Sequence, residues 1–223
     1  MNRKQHKKKA SIALGSIMLM LSGCSILSPI PNTEINNFQI VFTPPNTETT
    51  TQSETKLPKQ NLTLFVTPLS TEQPYNSTDM YYQQEKYILA SYQLSRWATL
   101  PSKMITQTLT RSLETQHIFE NVVSSNFIGY ANYRLTGTLN KLVQVVDKNG
   151  AKVFLSVSYT LVSADNGRVI ASKNFTLSAP SEANAKSYAK TTNLLANKLA
   201  NNVSTWLLEA SVKTQTKKST LST

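Results

Sequence analysis

Few side chains in this 223-residue chain are equipped for chemistry, and their spacing narrows the field. Of the two histidines, His6 stands among amino-terminal lysines and His117 has no second histidine or cysteine near it in sequence, so neither meets the ligand count of a zinc site. No serine has the Gly-x-Ser-x-Gly setting of a hydrolase nucleophile, and the six glycines never cluster into a phosphate-cradling loop. Asp79 and Glu85 read as solvated loop carboxylates. One thiol remains. Cys24 is the only cysteine, which excludes an internal disulfide and leaves the fold to its hydrophobic core.

The surroundings of Cys24 give that thiol a role. Arg3, Lys4, Lys7, Lys8 and Lys9 precede an apolar run from Ala10 to Leu21, too short for a bilayer-spanning helix of about 20 residues but right for a signal-peptide core. Leu21-Ser22-Gly23-Cys24 follows, and this pattern resembles a bacterial lipobox. It implies cleavage between Gly23 and Cys24, a thioether-linked diacylglycerol on the sulfur, and an amide-linked acyl chain such as palmitate on the new amino terminus. No other cofactor is expected. At about 0.8 kcal/mol per buried methylene, several chains on one residue make a lasting anchor. Ser25, rather than aspartate, at the next position favours the outer membrane in the enteric sorting convention. The net charge of +11 loses its weight once the five leader residues are set aside: from Leu62 to Glu209 there are 13 basic and 9 acidic residues, scattered rather than striped. A nucleic-acid partner is excluded on that ground.

Those features need a scaffold. Residues 24–60, rich in Pro, Asn, Thr and Ser, read as a tether with an edge strand over 38–42. Leu62–Leu69 predicts a strand, and Tyr81–Leu94 an extended region ending before Trp97. Pro101 suits the first turn of a helix that runs to about Gln116 on the stripe Met104, Ile105, Leu109, Leu113. Alternation predicts strands over Tyr133–Val146, Val153–Leu161 and Val169–Leu177. Asn149-Gly150 signals a type I′ turn, and Asp165-Asn166-Gly167-Arg168 a second hairpin. Ser181 is the candidate N-cap, with Glu182 in the first turn, of a long amphipathic helix reaching Ala210. Residues 211–223 read as a polar basic tail. The expected fold is α+β: a two-layer sandwich in which an antiparallel-rich sheet carries two helices on one face, with the domain over 61–210.

One block says more. Met80-Tyr81-Tyr82, then Trp97-Ala98-Thr99-Leu100-Pro101-Ser102-Lys103-Met104, then Leu109, Leu113, Phe119 and Val122, together resemble the ABC-type transport auxiliary lipoproteins. Gln83 and Gln84 stand where that family usually has an arginine. The resemblance implies a non-catalytic accessory subunit of a Gram-negative envelope system, on the periplasmic face of the outer membrane. Its partners would be an ABC permease, its ATPase and an MCE-domain protein that move lipids or other hydrophobic molecules; assembly with further copies of itself stays open. Tyr81, Tyr82, Tyr92, Trp97 and Pro101 are the candidate interface or core residues, with core the expected place for Trp97. The competing reading is a structural or assembly lipoprotein of the envelope or a secretion system. Direct lipid carriage would require an apolar cavity of roughly 300–1,000 Å³.

Overall fold

Alternation of Val153, Leu155, Val157, Tyr159 and Leu161 with serine and threonine builds the central ladder of the molecule. The computed structural model describes residues 34–44, 60–124 and 129–220. Among them the elements run β1 (Asn36–Phe38), β2 (Gln60–Val66), β3 (Ser70–Thr71), β4 (Asp79–Gln83), β5 (Ala90–Trp97), α1 (Pro101–Gln116), β6 (Phe119–Val123), β7 (Tyr133–Asp147), β8 (Gly150–Ser163), β9 (Val169–Ser181) and α2 (Ala185–Thr220).

Val153, Leu155, Val157, Tyr159 and Leu161 of β8 are buried, while Ser156, Ser158 and Thr160 form a polar outer face with Thr176, Asn140 and Ser172. β7 is the spine of the sheet. One edge pairs antiparallel with β8 over its length, and β8 pairs likewise with β9. The opposite edge is shared in series by β2, β3 and β4, all parallel to it. β6 extends the sheet beside β2, and β5 then β1 beyond β4. The sheet is therefore mixed, with the long meander supplying most of the pairing, and the molecule is the α+β sandwich expected. Both helices contribute to the same buried cluster as the inner residues of β7 and β8.

Two local features of β7 decide what its inner face presents. A bulge between Leu139 and Lys141 leaves Asn140 without a cross-strand partner on β8. Because side chains alternate, the extra residue switches the inward set from Tyr133, Leu135 and Leu139 to Leu142 and Gln144. Gly137 permits close packing: a Cβ there would lie 2.7 Å from Leu69 Cδ2, the Ser158 carbonyl oxygen and Tyr159 Cδ1.

The differences from the sequence reading have physical causes. The extended stretch 81–94 is two antiparallel strands, because Glu85 to Leu89 turn the chain. β6 was not predicted, since Glu120 and Asn121 interrupt its apolar pattern; it is held by parallel pairing to β2. The turn at 148–149 is not type I′: Asn149 does not adopt positive φ, Gly150 alone does, and Asp147 accepts the Asn149 N–H at 2.7 Å. Ser181 closes β9 instead of capping α2. Asn184 is the cap: its Oδ1 accepts the Ser187 N–H at 2.8 Å, and Ser187 Oγ accepts the Glu182 N–H at 2.9 Å. α2 continues past Ala210 to Thr220 with Ser211 buried, so the expected tail begins inside a helix. α1 matches its expected span; His117 closes it in the left-handed conformation at φ 52°.

The strand expected over 38–42 forms over Asn36–Phe38, parallel to β5. Beyond it, residues 39–43 leave the sheet and lie on α2. Asn193 donates to the Gln39 carbonyl at 2.8 Å and accepts the Val41 N–H at 2.8 Å. Asn197 repeats the pair one turn later with the Val41 carbonyl at 3.0 Å and the Thr43 N–H at 2.9 Å. Each amide spends its other hydrogen on the helix carbonyl four residues back, Ala189 and Asn193 respectively, which locks its orientation. Ile40, 4% exposed, points into the core, where its N–H meets Met104 Sδ. Two asparagines thus act as a neighbouring strand for this strap.

Candidate functional site

The aromatic residues singled out from the sequence gather around the β4–β5 hairpin. Tyr82 and Tyr92 face each other across it with ring centroids 4.8 Å apart, and Tyr75 meets Tyr81 edge to face at 6.3 Å. Trp97, 2% exposed, lies in the core against Tyr188 of α2 at 5.5 Å, and Pro101 is buried at the start of α1. Tyr81, Tyr82 and Tyr92 are half-buried and line the flank of the hairpin. Leu21, Ser22, Gly23 and Cys24 lie outside the described residues.

The hairpin is bolted to the meander by Gln144, a residue the sequence reading passed over. It is fully buried and uses both ends of its amide: Oε1 accepts from the Tyr92 hydroxyl at 2.5 Å, while Nε2 donates to Ser181 Oγ at 2.8 Å and the Glu182 carbonyl at 2.7 Å. The bulge at Asn140 puts Gln144 on the inner face, so strict alternation from Tyr133 assigns it to the wrong side. Tyr188 belongs to the apolar stripe expected of the long helix and is buried as that stripe requires. The Tyr188 hydroxyl is buried with no hydrogen-bond partner among the described residues, and burial, then the nearby Tyr75 and Tyr92, hold its pKa well above the ordinary tyrosine value. Asn193 and Asn197 were visible as polar residues four apart, but nothing in the sequence says which segment they grip.

The chemistry available here is packing and hydrogen bonding. Among the described residues no group of three His, Cys, Asp or Glu side chains is placed to hold a metal ion, and no helix is long and apolar enough to cross a membrane. A groove of about 670 Å³ opens between Thr43, the end of β9 and the first turns of α2, with Glu182 and Lys190 on its walls and Leu194 exposed within it. It is open to solvent along its length.

The family model for the ABC-type transport auxiliary lipoprotein component matches residues 42–204, from the end of the strap through most of α2. The chain belongs to this family. Among solved structures, protein XCC0632 from Xanthomonas campestris is similar at 17% identity, with a TM-score of 0.69 over 82% of this chain and 98% of that one. The PelC dodecamer from Paraburkholderia phytofirmans is more distant, at 16% identity and a TM-score of 0.41 over 63% and 89% of the two chains. At 17% identity the likeness to XCC0632 is one of fold. No curated protein matches the chain. Membership makes this a transport-associated envelope lipoprotein, and the hairpin, strap and Gln144 network add hydrogen bonds around the hydrophobic core that holds its fold.

Proposed function

We propose that the chain is a non-catalytic accessory subunit of an ABC/MCE-type system that moves lipids or other hydrophobic molecules, held on the periplasmic face of the outer membrane by acyl chains on Cys24. The family match over 42–204 carries the reading. The lipobox Leu21-Ser22-Gly23-Cys24 with Ser25 after it supports the anchor and its destination. In this scheme ATP chemistry belongs to the partner ATPase and passage to the permease and MCE protein, while this domain offers surfaces.

Cys24→Ala tests the anchor. Acyl labelling should vanish and the uncleaved precursor accumulate; labelling that persists defeats the proposal. Copurification of the tagged lipoprotein from solubilised envelopes should bring down the permease, ATPase and MCE protein together. Recovery of secretion-system components in their place would favour the assembly reading.

A further inference from the structure

The turn between β4 and β5 spends stability without a return inside the fold. Glu85 to Ile88 form a tight turn closed by the Ile88 N–H on the Glu85 carbonyl at 3.2 Å, a carbonyl that also accepts from Gln83 Nε2 at 3.1 Å. Tyr87 sits at its third position with φ 72°, the left-handed region that glycine occupies freely and a bulky residue does not. No buried contact of the ring compensates: Tyr87 is 88% exposed, and Ile88 and Leu89 after it are 57% and 38% exposed. Among the described residues, Lys86 alone attends the ring, its Nζ 4.8 Å from the centroid. A strained backbone outlier that holds apolar side chains in water points to a contact outside the molecule.

The chemistry of the tip selects the partner. Three consecutive residues at the end of a hairpin form a convex point, far short of the roughly 800 Å² per side of a stable protein interface. A tyrosine with a polar end, two aliphatic chains and a lysine able to reach back to the headgroups match the boundary between headgroup and acyl chain. The mounting is stiff, because the Tyr82–Tyr92 contact and the Tyr92–Gln144 bond fix the hairpin to the sheet. We propose that Tyr87, Ile88 and Leu89 form a second membrane contact that seats in the lipid interface and sets the orientation of the domain. This inference rests on the reading that Cys24 keeps the domain at a membrane, which makes a weak three-residue contact effective by raising its local concentration.

The full lipidated protein is reconstituted with phosphatidylethanolamine–phosphatidylglycerol vesicles, with and without bromine on the acyl chains, using Tyr87→Trp and, in case that variant misfolds, Ile88→Trp. The native Trp97 and Trp206 are buried and supply the background. The new fluorophore should shift to the blue on binding and lose intensity with brominated chains, whereas Val169→Trp, exposed on another hairpin, should do neither. Vesicle-bound protein whose fluorophore at 87 or 88 keeps the spectrum of water, or is quenched no more than that at 169, overturns the tip contact and leaves the anchor standing. Protein that stays in solution altogether defeats the anchor reading and this inference with it.

Discussion

Replacing Asn197 by alanine removes one rung of the strap and leaves the other. The two strap bonds lost, to the Val41 carbonyl and from the Thr43 N–H, join groups on exposed backbone that water can solvate, so each contributes about 1 kcal/mol net. The change should lower the local opening free energy at Thr43 by about 2 kcal/mol, roughly a 30-fold faster amide exchange. Asn193 keeps its own rung, so the Val41 amide should lose far less protection. Phe42, whose N–H has no described bond to the ladder, should exchange fast in both proteins. Hydrogen exchange resolved to single amides by NMR reads all three. If Thr43 exchanges equally in native and variant, the ladder is a geometric coincidence and the strap is held by Ile40 alone.

Four further outcomes follow from groups packed inside the sheet and helices. Tyr188→Phe removes an unpartnered hydroxyl without changing ring shape, and should leave thermal stability equal or raise it by up to about 3 kcal/mol in denaturant titrations. Tyr188 and Tyr159, both with pKa values pushed up by burial, keep protons that the unfolded chain sheds near pH 10. The contribution of these two tyrosines to stability is therefore level below pH 10 and falls above it by up to about 1.4 kcal/mol per pH unit for each, and Tyr188→Phe should make that fall shallower. Gln144→Ala strands the Tyr92 hydroxyl, Ser181 Oγ and the Glu182 carbonyl, and should cost about 2–4 kcal/mol with loss of amide protection along β5; a loss under about 0.5 kcal/mol would refute the network. Gly137→Ala forces a methyl against the Ser158 carbonyl oxygen and should cost about 1–3 kcal/mol by thermal melt, whereas Gly167→Ala, in open space, tests backbone conformation alone.

What sequence could reveal was whatever repeats. Period two in Val153–Leu161 and period four in Met104–Leu113 place β8 and α1 because every turn or pleat votes the same way. Their consequences, an α+β sandwich with a meander under two helices, follow directly. Single-residue events are harder. The bulge at Asn140 and the left-handed Tyr87 leave no periodic trace, and the parallel pairing of β6 with β2 joins residues 58 or 59 apart in the chain. The aromatic cluster was readable as a list but not as two groups. Trp97 falls in the core and Tyr92 on the flank because β1 covers β5 only at its Ser95–Trp97 end, and no local pattern marks where that cover begins.

The strap works as a vernier. Four residues of helix advance about 6.0 Å and two of extended chain about 6.7 Å, so each successive rung slips by about 0.7 Å. Asn193 and Asn197 tolerate one such slip. Asn201, at the next mark, would meet twice that, more than a hydrogen bond's length can absorb, and the residue it would need as a donor is Pro45, which has no N–H; its Oδ1 instead accepts from Gln116 Nε2. The mismatch gives the grip a built-in length and a single setting: sliding the chain by one residue would trade Ile40 for Val41 beneath the helices and turn the bonding N–H and C=O groups of the strap away from both asparagines.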